Sequence, residues 1–302
     1  MTRPNLLLCF DAFGTLFRPR RSPALQYAEI ARLCGITGFS DDELQSSLLA
    51  AIKEEARLNP NYGKSTGLGA TRWWTNVIHK TFTPLIKKDQ VLPKDLAPRL
   101  LHRFSSHEGY EAEPNLTSSL KALRSQRRFD NIVIGVITNS DDRVPSVLSS
   151  FGLNVSPLRY GMEVKEPPST LASRHYDIDF HCMSYDVGVE KPDKLIFTAA
   201  ERMLARVLSL RDGKSHIDAN EADVDETWRK VYVGDDYAKD VVGAVNAGWN
   251  PVLFGTTEQA PGNVPRLEDY PGRTLDDMFR EHAVTRVDSL QNLAKWFVGG
   301  VN

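Results

Sequence analysis

Three apolar segments of the sequence each end in side chains that could carry out chemistry. The segments, with the polar residues that follow them, are 6–10 with Asp11, 132–137 with Thr138, and 231–234 with Asp235 and Asp236. A carboxylate can act as a nucleophile or as a ligand for a hard metal ion, and a hydroxyl can help to bind an anion. A lysine, Lys191, stands between the second and third segments. Together these residue types suit chemistry on a phosphate group.

The elements that must position these residues are the strands of a parallel sheet. Short apolar runs bounded by polar residues are typical of buried strands, and here they alternate with helical patterns. Because parallel strands share a carboxyl edge, we expect Asp11, Thr138 and Asp235 to converge there. Converging carboxylates repel one another unless a cation neutralises them, and oxygen ligands favour Mg²⁺. The sequence therefore predicts an α/β fold with a site for Mg²⁺ and a phosphate group at that edge.

Each of these residues also has an ordinary structural interpretation. Asp11, Asp236 and Asp240 could cap turns or helices, as aspartate commonly does. Lys191 could be a surface cation beside a helix, and Thr138 a hydroxyl that happens to end a strand. Independent turn chemistry does not predict all of these residues in this order, so we favour the functional interpretation.

A helical segment follows the first strand. It contains helical patterns and loops but no convincing alternating strand. Ser22 before Pro23 is typical of a helix start, and the spacing of Ser40 and Glu43 predicts a capping box. We therefore predict an α/β core interrupted by a helical cap. The predicted boundaries are 1–17 and 113–302 for the core and 18–112 for the cap.

Two stretches of the predicted core carry few structural signals. Residues from about 156 to 179 are rich in proline and polar side chains, and we predict a surface insertion there. The stretch from about 211 to 227 is polar and largely acidic. Its carboxylates are more typical of a solvated face than of a metal site.

Composition narrows the choice of partners and compartment. The 302 residues include 37 basic and 39 acidic side chains, and the formal net charge is −2. This balance creates no global field that would attract nucleic acid or an anionic membrane, so we expect neither as a partner. The three cysteines lack C-x-x-C spacing, and the first five residues lead directly into the first strand. We expect a cytoplasmic protein, with the mitochondrion and the nucleus left open and the oligomeric state unspecified.

The order of the motifs resembles that of the haloacid dehalogenase (HAD) superfamily. The four motifs are Asp11-x-x-Gly14-Thr15, Thr138-Asn139 at a strand end, Lys191-Pro192-Asp193, and Gly234-Asp235-Asp236-x-x-x-Asp240. The chain is similar in particular to the haloacid dehalogenase-like hydrolase domain-containing protein 3 group, whose cap resembles 59–63, 67–68 and 72–74. The resemblance covers most of the chain. It implies a Rossmann-like core with an inserted helical (C1-type) cap, and hydrolase activity on a small phosphorylated substrate.

The resemblance also implies roles for individual residues. Asp11 would be the nucleophile that forms a covalent phosphoaspartate, and Thr138 and Lys191 would bind the transferred group. Asn139 would be one of the substrate-binding residues.

The implied metal ligands lie in the first and last motifs. Asp11, the backbone carbonyl of Phe13, and Asp235 or Asp236 would hold Mg²⁺. Asp240 would lie just behind these ligands.

Phe13 is the main departure from the phosphatases of this superfamily. They usually carry a second aspartate two residues after the nucleophile, which protonates the leaving alkoxide and later activates water. Phenylalanine can do neither. Loss of such help typically slows a reaction about 10²- to 10⁴-fold, or about 3 to 5 kcal/mol of barrier. We therefore expect weak activity on alkyl phosphates and better activity on aryl or acyl phosphates, whose leaving groups need no proton.

Two other functions stay open. One is a catalytically impaired HAD-fold protein that binds a phosphate ligand or a protein partner. The other is metal-free haloacid dehalogenation, because dehalogenases carry an aromatic residue at the position of Phe13. Against dehalogenation, Asp235 and Asp236 add charge that favours a metal, and Asp141 stands where dehalogenases place a serine.

The aromatic residues of the predicted cap provide candidates for substrate selection. Trp73 and Trp74 are adjacent, so on a helix they point about 100° apart and cannot both face one core. We expect one of them in the core and the other, with Tyr62 and Lys64, on the side that meets the substrate. Tyr62 and Trp74 are therefore candidate substrate-binding residues.

Overall fold

The computed structural model describes residues 3–87, 89–212, 227–255 and 263–299. The chain forms two compact units. The first, the sheet unit, comprises Met1–Arg18, Ala112–Ser140 and Phe151–Asn302, and the second, the helical unit, comprises Pro19–Glu111 and Asp141–Ser150. The predicted division did not anticipate that 141–150 clusters with the inserted helices. Most of the acidic stretch predicted at about 211–227 lies outside the described residues.

Within the described residues, the sheet unit is built on six strands. They are β1 (Asn5–Phe10), β4 (Ile132–Thr138), β5 (Phe180–Met183), β6 (Trp228–Gly234), β7 (Asn250–Phe254) and β8 (Thr285–Val287). Their order across the sheet is β5-β4-β1-β6-β7-β8, and every pairing is parallel. Two further short strands, β2 (Phe17–Pro19) and β3 (Tyr110–Ala112), pair with each other.

Helices accompany the sheet and make up most of the helical unit. Those of the sheet unit are α5 (Leu116–Arg124), α7 (Pro168–Ser173), α8 (Ser184–Val187), α9 (Lys194–Arg211), α10 (Val242–Asn246), α11 (Leu275–Glu281) and α12 (Leu290–Val298). Those of the helical unit are α1 (Pro23–Leu33), α2 (Asp41–Leu58), α3 (Ala70–Phe82), α4 (Leu96–Arg103) and α6 (Val144–Ser150). Single 3₁₀ turns occur at Asn61–Gly63, Thr83–Leu85 and Leu267–Asp269, and one π-helical turn occurs at Tyr237–Val241.

The central strands are apolar on both faces because both faces are covered. Strands β1 and β4 are buried along nearly their whole length, as is typical of parallel sheets with helices packed on them. The predicted parallel α/β fold is confirmed. Strand β8 was not predicted from the sequence, since its three residues are too short a run to show a period.

The stretch at about 156–179 is less superficial than predicted. The prediction of a surface insertion is wrong for Leu158 and Leu171, which are buried in the apolar cluster between the sheet and α9. The stretch contains α7, and Val155 and Ile178 bridge across it. Apolar residues spaced irregularly among prolines give no periodic signal, yet they bury surface like any others.

The helical unit begins its helices where the capping residues predict. The hydroxyl of Ser22 accepts from the backbone of Leu25, with Pro23 at the first helical position. Ser40 and Glu43 form the predicted capping box, with bonds of 3.2 and 2.8 Å. Within the described residues, the chain has no helix with both the length and the apolar character needed to cross a membrane.

Candidate active site

The parallel pairing of β1, β4 and β6 brings the ends of these strands together. Phe10, the last residue of β1, pairs with Val136 on one side and Val233 on the other. The next residue, Asp11, donates its backbone N–H to the carbonyl of Val233 at 2.9 Å. Asp11 therefore lies at the carboxyl edge of the sheet beside the end of β6.

Three carboxylates meet at this edge. One oxygen each from Asp11, Asp235 and Asp240 lies within 4.8 Å of the others. Asp11 and Asp240 are buried, and Asp235 is partly exposed. The cluster therefore concentrates negative charge at the end of the central strands.

Lys191 supplies the positive charge inside the cluster. Its ammonium donates to Asp11 Oδ1 and Asp240 Oδ1, both at 2.7 Å, and to the hydroxyl of Tyr232 at 2.8 Å. Burial alone would lower the pKa of Lys191, but the two carboxylates together raise it. An ammonium has three N–H donors, so all of them are engaged here.

Tyr232 and Asn139 hold Lys191 in place. The hydroxyl of Tyr232 donates to the carbonyl of Ile137 at 2.7 Å. Burial, followed by the charges of Asp240 and Asp11, raises the pKa of Tyr232. The amide of Asn139 accepts from the backbone N–H of Lys191 at 2.7 Å and donates to its carbonyl at 3.0 Å. The side chain of Asn139 therefore binds the backbone of Lys191, and its predicted contact with substrate stays a prediction.

The surroundings of Asp235 raise the pKa of its carboxyl group. Burial, followed by the charges of Asp11 and Asp240, raises the pKa of Asp235 to about 6. Thr15 Oγ1 lies 3.4 Å from Asp235 Oδ1. A Cβ on Gly14 would come within 2.2 Å of the same carboxylate, so this approach requires glycine. The Gly-Thr pair of the first motif thus shapes the environment of Asp235.

Asp236 and Asp240 lie in different surroundings. Both oxygens of Asp236 bind Lys239, one through the backbone N–H at 3.0 Å and one through the ammonium at 2.8 Å. Asp240 instead joins the cluster, and its second oxygen accepts the backbone N–H of Asp236 at 2.9 Å. Asp236 thus caps the following turn, whereas Asp240, expected behind the ligands, contributes directly to the cluster.

The cluster fits a divalent cation. Its three carboxylates face one ammonium, and oxygen atoms within 4.8 Å of one another are the donor set that Mg²⁺ prefers. The raised pKa of Asp235 shows that its charge is only partly compensated by the protein. Asp11, Asp235 and Asp240 are therefore the side chains that could hold such an ion.

Two further predicted site residues, Thr138 and Phe13, belong to the sheet unit. Thr138 is buried at the end of β4. Phe13 lies two residues after Asp11, with its ring centroid 4.7 Å from that of Phe17. No proton donor is thus available from the side chain at position 13.

The helical unit contains its own buried polar group. Trp73 lies in the core, as expected of one of the two tryptophans, and Trp74 Nε1 donates to Asp141 Oδ2 at 2.7 Å. Arg143 pairs with Asp141 at 2.8 Å and stacks 4.3 Å from the ring of Trp74. Burial alone would raise the pKa of Asp141, but Arg143 and Trp74 together lower it. Tyr62 packs on both tryptophans, with centroid distances of 5.3 and 6.4 Å.

A parallel sheet with an aspartate after its central strand, and with helices inserted in the chain after that strand, defines a class of Rossmann-like hydrolases. The chain belongs to the haloacid dehalogenase-like hydrolases, whose family model matches residues 6–248. The predicted resemblance is therefore confirmed.

Relatives of known sequence are spread over several eukaryotes. An uncharacterized hydrolase of Schizosaccharomyces pombe is 30% identical over 245 residues, which cover 81% of this chain and 88% of that protein. Haloacid dehalogenase-like hydrolase domain-containing protein 3 of Danio rerio is 27% identical over 279 residues, covering 92% and 96% of the two chains. The chain is thus similar to these proteins over most of their length.

Solved structures resemble the chain in fold. A HAD phosphatase from Thermococcus onnurineus aligns with a TM-score of 0.50 and 19% identity, covering 99% of each chain. A defluorinating L-2-haloacid dehalogenase aligns with a TM-score of 0.53 and 14% identity, covering 98% of each chain. At these identities the likeness concerns the fold alone.

Proposed function

We propose that the chain is a Mg²⁺-dependent hydrolase of small phosphomonoesters. The observation that carries this proposal is the buried cluster of Asp11, Asp235 and Asp240 around Lys191. Asp11 attacks phosphorus, the bond from phosphorus to the alcohol oxygen breaks, and a phosphoaspartate forms. Water then hydrolyses the phosphoaspartate and releases inorganic phosphate. Mg²⁺, when bound, neutralises the charge of the transferred group.

The residues around Asp11 have separate tasks in this proposal. Asp235 and the backbone carbonyl of Phe13 would hold the metal with Asp11. Asp240, the third carboxylate of the cluster, binds Lys191 and the backbone N–H of Asp236, so we assign it to positioning Lys191. Because the three donors of Lys191 are engaged, its contribution to a bound phosphate is its charge rather than a spare hydrogen bond. Thr138 offers its hydroxyl to the transferred group at the end of β4.

The helical unit is proposed to select the substrate, as a cap that excludes water. Tyr62 and Trp74 are the residues we propose for that task. The support is that the two rings pack together and that Trp74 is held by Asp141 and Arg143.

The test of the catalytic proposal is a substrate panel with matched variants. We expect Mg²⁺-dependent hydrolysis of p-nitrophenyl phosphate and acetyl phosphate at rates above those of Asp11→Asn, and slower hydrolysis of glycerol 3-phosphate. Absence of turnover above Asp11→Asn on every substrate would refute the enzyme proposal. Equal kcat/KM on aryl and alkyl phosphates would refute the role assigned to Phe13.

A gain-of-function pair sharpens the second part of this test. Phe13→Asp introduces a carboxyl group at the position of the missing acid, and Phe13→Asn is a control of the same size without an acid. We expect Phe13→Asp to raise kcat/KM for glycerol 3-phosphate above that of Phe13→Asn, by up to about 10²-fold. The two variants are expected to differ little on p-nitrophenyl phosphate.

The second candidate function is phosphate binding without turnover, and Phe13 is the observation that favours it. In that case isothermal titration calorimetry detects Mg²⁺-dependent binding of inorganic phosphate, while Asp11→Asn and the wild type show equal background hydrolysis.

A further inference from the structure

A cavity lies at the opposite edge of the sheet from Asp11. Its volume is about 650 Å³, and its lining includes Pro4, directly before β1, and Arg229, near the start of β6. Asp11 and Asp235 follow the other ends of these same strands. A strand of six or seven residues is roughly 20 Å long, so the cavity is separate from the carboxylate cluster.

The lining of this cavity is strongly basic. Four arginines contribute to it, namely Arg3, Arg127, Arg128 and Arg229. Among the described residues that line it, Asp276 is the one carboxylate, and it binds Arg229 through two bonds of 2.6 and 2.8 Å. The cavity therefore carries excess positive charge that its own acidic residue does not balance.

Arg128 contributes positive charge to the cavity without a partner carboxylate among the described residues. Its guanidinium lies 5.2 Å from the ring centroid of Trp296 and donates to the backbone carbonyls of Arg273, at 2.9 Å, and Gly299. Its Nε is buried without a hydrogen-bond partner, and no carboxylate pairs with it in the part of the chain that the structure describes. Burial lowers the pKa of Arg128, which agrees with a cation that lacks a counter-charge.

Apolar and aromatic side chains form another part of the lining. Phe129, Leu275, Trp296 and Val298 contribute side chains to it. Pockets of this size with mostly apolar walls and a few convergent charged groups are typical of small-molecule sites. Arginine is suited to carboxylate, sulfonate and phosphate groups because its planar fork matches their oxygen atoms.

We propose that this cavity binds an organic anion with an apolar or aromatic body, whose anionic head pairs with Arg128. The body then lies against Trp296 and its apolar neighbours, and the head supplies the missing counter-charge. This binding does not depend on the hydrolase proposal, since none of the residues that line the cavity belongs to the carboxylate cluster.

A pair of fluorescent probes tests both halves of the proposal. The anion 1-anilinonaphthalene-8-sulfonate carries an aromatic body and a sulfonate, and N-phenyl-1-naphthylamine has the same body without the charge. We expect the sulfonate to bind the wild type in fluorescence titrations, and Arg128→Gln to raise its Kd about tenfold or more. The exposed Arg280 on α11 provides the matched control, because Arg280→Gln removes an arginine outside the cavity. Binding of the neutral probe is expected to be unchanged by Arg128→Gln.

Two more variants distinguish binding in this cavity from poor folding of Arg128→Gln and from binding at the carboxylate cluster. Ser125→Trp fills the cavity from its rim without altering Arg128, and it is expected to abolish sulfonate binding even where Arg128→Gln folds poorly. Asp11→Asn is expected to bind the sulfonate like the wild type, which separates this site from the hydrolase proposal. Sulfonate affinity that changes less than twofold in both Arg128→Gln and Ser125→Trp would overturn the proposal. Equal binding of the two probes, or equal weakening by Arg280→Gln, would overturn it as well.

Discussion

Replacing Lys191 by methionine removes the ammonium that pairs with Asp11 and Asp240 while keeping a side chain of similar length. In the wild type this ammonium lies 2.7 Å from both Asp11 Oδ1 and Asp240 Oδ1, and all three side chains are buried. Removing one partner of a buried ion pair typically costs about 3 to 5 kcal/mol, because the remaining charges stay buried without compensation. We expect Lys191→Met, with a chelator present, to lose stability of about that size in urea unfolding at neutral pH. Lys194→Met is the matched control, since Lys194 is exposed on the surface of α9.

The pH dependence of the stability lost in Lys191→Met tests whether uncompensated carboxylate charge causes that loss. The pKa of Asp235 is already about 6 in the wild type, where Lys191 opposes the effects of burial and of the other carboxylates. Without Lys191 this pKa rises further above its value in the unfolded chain. A carboxyl group whose pKa is higher in the folded state costs stability as the pH rises through the interval between its two pKa values. The deficit of Lys191→Met is therefore expected to grow between pH 5 and pH 7.5.

Added Mg²⁺ is expected to reduce the same deficit. An ion that binds only the folded state at 100 times its Kd adds about 2.7 kcal/mol of stability. The variant is expected to gain more from Mg²⁺ than the wild type, because its cluster lacks the competing ammonium. If Lys191→Met is as stable as Lys194→Met in the chelator, or if its deficit does not change with pH, the charge balance described here is wrong.

Three further predictions concern other groups. Asp235 must lose its proton to bind a metal, so calorimetry is expected to show the affinity for Mg²⁺ falling about tenfold per pH unit below the Asp235 pKa of about 6. Asp235→Asn is expected to lose this pH dependence. Burial lowers the pKa of His181 to about 3, whereas the pKa of histidine in the unfolded chain is near 6.5. The wild type therefore loses stability as the pH falls below about 6.5. His181→Leu lacks this loss, so in urea unfolding it is expected to retain about 2 kcal/mol more stability than the wild type between pH 7.5 and pH 4.5. Trp74→Phe keeps an aromatic ring beside Arg143 but removes the bond to Asp141, and it is expected to cost about 1 to 3 kcal/mol in the same assay.

The sheet and the meeting of its strand ends could be predicted because one physical rule connects them. Apolar runs long enough to cross a sheet once are visible at β1, β4 and β6, and parallel pairing then places the residues after β1 and β6 at one edge. The register supports the prediction, since Phe10 pairs with both Val136 and Val233. No knowledge of side-chain contacts was needed for this step.

The different surroundings of Asp236 and Asp240 could not be predicted in the same way. Which carboxylate turns inward depends on the π-helical turn Tyr237–Val241 and on the competing bonds of Lys239. A Cβ on Gly234 would come within 2.3 Å of Asp240 Oδ2, so the close approach of Asp240 rests on a glycine at the end of β6. Such details arise from local packing and leave no periodic pattern in the sequence.

Tyr232 and Asn139 show a second limit of sequence reasoning. Tyr232 has the pattern of an ordinary core residue of β6, and only the assembled sheet reveals that its hydroxyl reaches Lys191 and the carbonyl of Ile137. Asn139, which the resemblance implies is a substrate-binding residue, uses both polar groups of its amide to bind the backbone of Lys191. Residues that position a catalytic group look like core or loop residues until that group is located.

The contacts that hold the charged residues of the site do not depend on the residue at position 13, where an acid would transfer a proton. Lys191 binds two carboxylates of the cluster, Asn139 fixes its backbone, and none of these contacts involves the side chain of Phe13. Proton transfer is required only when the leaving group departs as a strong base, such as an alkoxide. A cluster that is complete except for the acid is therefore compatible with phosphoryl transfer from substrates whose leaving groups depart as stable anions. Under the proposed function, position 13 would restrict the range of leaving groups, while Asp11, Asp235 and Lys191 would act on the transferred phosphate.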